Sequence, residues 1–154
     1  MKNAVQMSDT SSPVKKYTLD PLFVDAPVGW TKMDGKGYGT IALRDIAEGE
    51  IIERSPAIIM PVSELKRPDG TEVELGNYVF HWGEEDENGH SILCACVKGG
   101  LLPLSNHSET ANANVSQDHD NNMMVWYATR DIEKGEEVCI DYDTDLWFEN
   151  REEK

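Results

Sequence analysis

Residues 104–108 read Leu-Ser-Asn-His-Ser, with Asn112 and Asn114 shortly after and a glycine-led apolar approach, Gly99-Gly100-Leu101-Leu102, just before. Amide and imidazole groups at the edge of a core need partners. An Asn-His pair offers side-chain donors and acceptors as well as backbone ones, so it suits gripping a small polar ligand or pinning a chain crossing. Alone, the stretch reads equally well as an Asn-rich surface turn closed by Asx-type bonds. Its neighbours in the sequence weigh on that choice.

The first of these is an internal echo. Ala42-Leu43-Arg44-Asp45-Ile46-Ala47-Glu48-Gly49-Glu50 recurs as Ala128-Thr129-Arg130-Asp131-Ile132-Glu133-Lys134-Gly135-Glu136. In both copies an apolar approach, a Gly suited to positive φ and a β-rich exit predict strand, tight turn and strand. Two copies are too few for a solenoid, which needs at least about three stacked units.

The chain has 154 residues and 17.3 kDa, enough for one domain with a single core. A mean hydropathy of -0.53 is low, yet four Trp, five Tyr and three Phe supply aromatic bulk for a compact interior. The formal net charge is -15, from 29 acidic against 14 basic residues. That balance disfavours direct nucleic acid or anionic lipid binding and favours a cationic partner, although it also serves solubility. With no apolar run of bilayer length and no apolar signal region, a soluble, intracellular protein is expected.

Cys94, Cys96 and Cys139 are an odd number without a secretory signal, so reduced thiols are expected rather than a disulfide framework. Cys94 and Cys96 fall two apart in an alternating run, on the same face of a strand. A zinc site would have to recruit Cys139 and His107, and strand packing is the simpler reading, with no metal site.

Along the chain, residues 1–16 are polar and Ser-rich and read as a loose tail; a domain is expected over 17–149, with 150–154 frayed. Pro27, Gly29 and Asp34-Gly35 punctuate the approach to a first hairpin, whose strands are expected at 40–43 and 50–54, with an extension over 57–60. Ser63-Glu64-Leu65-Lys66 offers a capping residue and a helical turn stopped by Pro68 and Asp69-Gly70. Residues 77–82 and 90–97 alternate as paired strands around an acidic loop, and 123–129 and 136–142 read as the last strands. The fold class is mainly β, with short strands and many turns.

Gly35-Lys36-Gly37-Tyr38-Gly39 lets backbone approach a ligand closely, since three positions lack a Cβ. It matches neither a dinucleotide fingerprint nor a P-loop, because it leads into a strand. Four elements in order then carry more than any one of them. They are this run, the segment with Tyr78 and Phe80, Leu104 to Asn114, and Gly135-Glu136-Glu137-Val138-Cys139-Ile140-Asp141-Tyr142. The order resembles a SET-domain protein lysine methyltransferase over roughly residues 28 to 148, most specifically in Asn106-His107-Ser108 with the downstream Glu-Glu-x-x-x-Asp-Tyr.

The resemblance implies a fold of short strands and small sheets with a C-terminal pseudoknot, in which the Asn-His segment and the Asp-Tyr segment cross beside the reaction centre. It implies S-adenosylmethionine as cofactor, held by Lys36, Gly37 and Tyr38 through backbone and by Asn106 and His107. Tyr142 matches the catalytic tyrosine and also touches the cofactor. Tyr78 and Ile140 would line a substrate channel. Trp147 over the adenine and Phe148 over the channel are candidates for an aromatic lid, since the Cys-rich flanking segments of many chromatin-directed members are missing. Single-domain members with this layout occur in bacteria and viruses, and a bacterial source would make the location cytoplasmic, the compartment being otherwise open. Where the family often has Cys-x-Pro after the Asn-His-Ser, this chain has Glu109-Thr110-Ala111, and a looser turn is expected.

The implied activity is methyl transfer to a lysine of a basic protein or peptide. A second reading, grounded in the departures after Ser108, is an inactive SET-like module that binds basic peptides or cofactor. A third, an acidic mimic of nucleic acid, rests on charge alone.

Overall fold

Val28–Met33 (β1) and Gly37–Ala42 (β2) pair as an antiparallel hairpin around Asp34-Gly35-Lys36 in the computed structural model, which describes residues 26–143. Gly35 and Gly37 take positive φ at this turn, where a side chain would be strained. The first hairpin is therefore one strand earlier than the sequence predicts. Thr40 to Ala42 pairs backward with β1, and residues 50–54 belong to a different sheet.

That sheet has five antiparallel strands. Ile51–Pro61 (β3), Val79–His81 (β4), Leu93–Val97 (β5), Ala113–Asp118 (β6) and Met123–Ala128 (β7) lie in the order β4-β5-β3-β7-β6. The first half of β3 pairs with β7 and its second half with β5, with a register irregularity between Ile51 and Glu53. Alternation along β7 turns Met124, Trp126 and Ala128 inward, where Trp126 is fully buried among Ile52, Leu102, Val138 and the rest of the core. Cys94 and Cys96 share a face of β5, as the period-2 reading requires, and no disulfide joins any of the three cysteines.

Helix is confined, among the described residues, to 3-10 turns at Val62–Leu65, Glu74–Tyr78 and Leu102–Leu104. Ser63 does not cap the first of these; Pro61 holds the cap position and no side chain bonds there. The strand expected from residue 77 begins at Val79, because Asn77 and Tyr78 complete the second turn.

The echo is the main correction. Its two copies do not form hairpins; they dock on each other. Ile46 and Ile132, both buried, exchange backbone bonds at 2.9 Å in each direction. Ala42 N–H donates to Glu136 O and Ala128 N–H to Glu50 O; Gly135 N–H donates to Ala42 O and Gly49 N–H to Ala128 O. Asp131 accepts from Glu48 N–H and Asp45 from Lys134 N–H, each at 2.9 Å. Arg44 closes its own turn on Glu50 as Arg130 does on Glu136. Period-2 alternation announces a strand without naming its partner, and here the partner is the other copy.

Beyond this clasp, residues 137–142 run extended without forming a regular strand, contrary to the sequence expectation. They make single bridges, Glu137 with Ile41 and Ile140 in parallel with His107. Val138 O accepts from the Thr40 and Ser105 hydroxyls, and Val138 N–H donates to Thr40 O. Ser108 N–H donates to Ile140 O and Ile140 N–H to Asn106 O. Held by β2 on one side and the 105–113 segment on the other, this stretch forms the crossing that the resemblance implies.

Candidate active site

The crossing forms the floor of a cleft of about 970 Å³. Lys36, Gly37 and Tyr38 from the β1–β2 turn, Asn106 and His107, and Ile140 and Tyr142 from the threaded segment all line it. Tyr78 and Phe80 close another side. Eight site residues expected from the sequence thus meet in one cavity. Trp147 and Phe148 lie outside the described residues, as do the expected tail and the frayed end.

Tyr142 is anchored at both ends. Its backbone N–H donates to His107 Nδ1 at 3.2 Å, and its phenol donates to Ser105 O at 2.8 Å. Burial, reinforced by Cys139, Tyr78 and Glu137, pushes the phenol above its ordinary value, so the hydroxyl keeps its proton at neutral pH. The acceptor role of His107 Nδ1 assigns the ring proton to Nε2, and the 3.6 Å approach of Asp141 to Nδ1 is a contact rather than a hydrogen bond. The His107 and Tyr142 rings lie 5.4 Å apart at 58°.

At the turn end, Asn106 Nδ2 donates to Glu137 Oε1 at 2.8 Å and touches Met33 Sδ at 3.7 Å. Lys36 Nζ reaches Glu137 Oε2 at 3.2 Å. Gly39 is needed for this packing: a Cβ there would stand 2.6 Å from Asn106 Nδ2 and 2.5 Å from Met33 Sδ. Outside the turn, Tyr38 is exposed and meets Trp30 edge-on at 5.5 Å.

The segment after Ser108 is better tied than its composition suggests. Thr110 N–H donates to Ser108 Oγ, and buried Asn112 donates to Glu137 O at 2.8 Å and accepts from Cys139 N–H at 2.9 Å. The turn is therefore not loose, and the ground for an inactive module weakens. Upstream, buried Glu53 accepts from the Ser55 hydroxyl and from the backbone N–H groups of Leu101 and Leu102, fixing the approach to Asn106. Sequence reasoning gives neither Glu53 nor Glu137 a role of its own, since each stands beside charged residues and reads as a solvated acid, Glu137 entering only as part of the Glu-Glu-x-x-x-Asp-Tyr motif. An acid at an inward position of an alternating strand was the available signal for Glu53.

The SET domain family model matches residues 37–143, the span that builds the clasp, the crossing and the cleft. The chain belongs to the SET-domain family. A Schizosaccharomyces pombe histone-lysine N-methyltransferase, H3 lysine-37 specific, is 30% identical over 127 residues, covering 82% of this chain and 80% of the relative. The N-lysine methyltransferase KMT5A of Xenopus tropicalis is 29% identical over 136 residues, 83% of this chain, which spans only 40% of that relative's length. Among solved structures, a Plasmodium falciparum protein described as a candidate histone methyltransferase superposes with a TM-score of 0.58 at 26% identity, covering 81% of this chain and 100% of its own. The Neurospora SET domain protein DIM-5 superposes with the same score at 18% identity, covering 82% of this chain and 56% of its own, which supports the fold. The family and fold expected from the sequence are borne out. No helix among the described residues is long and apolar enough to cross a membrane, and none of their side chains form a cluster of three or more metal-ligating groups.

Proposed function

We propose that the cleft transfers a methyl group from S-adenosylmethionine to a lysine of a basic protein, which makes the chain a protein-lysine N-methyltransferase. The observation that carries this is the meeting of Asn106-His107 with Tyr142 in one cavity, tied by the Ile140 bridge and by the Tyr142 N–H on His107. The two sequence relatives named above are lysine methyltransferases, one of them named for histone H3, a basic protein, which suits an acidic chain with a formal charge of -15.

The donor set fits the cofactor. The Glu137-fixed amide of Asn106 and the backbone of Lys36-Gly37-Tyr38 suit an amino-acid end, and Tyr38, His107 and Tyr142 suit a flat, partly cationic body. When bound, S-adenosylmethionine supplies an activated methyl on a positively charged sulfur. Tyr142 then has a defined task. With its proton committed to Ser105 O, its oxygen presents lone pairs, an acceptor for a lysine N–H or an electron-poor methyl.

The nucleophile must be a neutral amine, and deprotonating a free lysine at pH 7 costs about 4.6 kcal/mol. Apolar Ile140, Phe80 and Leu104 along the cleft disfavour the ammonium by desolvation, as does positive charge nearby. Alignment and desolvation thus replace a dedicated base. Tyr78 and Ile140 would form the channel wall. The test is incubation of the purified chain with radiolabelled S-adenosylmethionine and purified histones. Label on lysine is expected, and none with a folded protein that also shows no cofactor-dependent melting shift would remove the reading.

A further inference from the structure

We propose that Glu137 is the positioning residue of the cofactor end of the cleft, joining its two gripping segments and fixing the polarity of Asn106. The proposal rests on the cofactor assignment made above. Glu137 divides its carboxylate, Oε2 toward Lys36 Nζ at 3.2 Å and Oε1 toward Asn106 Nδ2 at 2.8 Å. Lys36 and Asn106 come from segments far apart in the chain that both line the cavity, and no backbone bond joins the two residues. The carboxylate sits on rigid backbone, since Glu137 O accepts from buried Asn112 and residue 137 bridges Ile41.

The chemistry of the amide follows. A carboxylate only accepts, so the NH₂ of Asn106 must face it and the amide oxygen must point elsewhere. Among the described residues no donor reaches that oxygen, and Asn106 lines the cleft, so the oxygen is an acceptor available to an ammonium such as that of an amino-acid end. The place for the amide exists because residue 39 has no side chain. Glu137 also offsets the charge of Lys36, so the turn does not repel a ligand carrying a sulfonium and an ammonium. Replacing the carboxylate by an amide removes both effects, because Gln donates as well as accepts and carries no charge.

Three measurements on the full chain test this. S-adenosylhomocysteine, which keeps the amino-acid end and lacks the sulfonium charge, is titrated calorimetrically against wild type, E137Q and E137D. E137Q is expected to weaken binding about tenfold, the lower end of the range for losing a hydrogen bond to a charged group, and E137D to recover part of it. Steady-state kinetics of E137Q should show KM for S-adenosylmethionine raised by about the same factor, with kcat at saturating cofactor within about threefold. A purely structural glutamate would instead lower the melting temperature and kcat together and leave KM and the titration unchanged, and that result overturns the proposal. If E137Q does not fold, unchanged titrations of both E137D and K36M overturn it instead. Wild-type protein that binds neither compound overturns the cofactor assignment itself, a distinct outcome from an insensitive E137Q.

Discussion

Removing the Asn112 side chain tests the crossing more directly than any change in the cleft. Asn112→Ala deletes the donor to Glu137 O and the acceptor of Cys139 N–H, both on the threaded segment. An unsatisfied buried polar group costs about 1–3 kcal/mol. Two such groups set an upper bound of about 6 kcal/mol, which access to water reduces. Glu137 and Cys139 both line a polar pocket of about 240 Å³, together with Ser108, Asn112 and Arg130, so water can reach part of what the lost side chain leaves bare. The expected loss is therefore about 2–3 kcal/mol, a large share of a typical net stability of 5–15. It should appear as a lower urea midpoint with unchanged slope and a melting temperature down by on the order of 10 °C. Asn114→Ala, two residues on and exposed, should stay within about 0.5 kcal/mol of wild type. Methyl transfer by folded Asn112→Ala should fall further than its folded fraction, because the loosened segment carries Ile140 and Tyr142. An Asn112→Ala midpoint within 0.5 kcal/mol of wild type would falsify the claim that this side chain latches the crossing.

Tyr142→Phe keeps the ring and deletes the hydroxyl, so kcat should fall about 100- to 1000-fold, the loss expected for one oriented polar group at a reacting centre, with cofactor affinity within a few fold; near-wild-type turnover by folded protein would remove Tyr142 from the chemistry. Glu136 is held below its ordinary value by the Arg130 guanidinium and the Glu133 N–H, and Glu50 likewise by Arg44. A lowered folded-state value means their contribution is complete above the unfolded glutamate value of about 4.3 and is lost as pH falls through the folded one. Glu136→Gln should therefore melt below wild type at pH 7 and converge with it in strong acid, and a constant gap at all pH would count against the ion pair. Ile140, which lines the cleft, has no side-chain group that could hydrogen-bond the amine, so product analysis at excess cofactor should show lysine carried past one methyl group, and strictly monomethylated product would contradict this.

The site was more legible in the sequence than the sheet that holds it. Asn106, His107 and Tyr142 stand in motifs whose order is specific, and the cleft gathers them. Strand partners were harder, because alternation gives a face and not a neighbour, so β2 was assigned to the wrong hairpin and the clasp was read as two local turns. β1 was hidden by flanking Pro27, Gly29 and Gly35. β6, Ala-Asn-Val-Ser-Gln-Asp, lies at a sheet edge where polar side chains face solvent, and composition alone marks such a strand as loop. Glu137 was visible in its motif but not its role, because its partners are 31 and 101 residues away.

The clasp also orders events in time. Its aspartate bonds join residues 83 and 89 positions apart, so neither copy of the motif can dock until the chain between them has been made and collapsed. Residues 137–142 follow the second copy and can be secured only against a scaffold already standing. A chain emerging from the ribosome at about 5–20 residues per second would thus display β1 to β7 for an interval before Tyr142 arrives. Methylating competence would then come last, in one step, and no shorter nascent form would carry a working fraction of it.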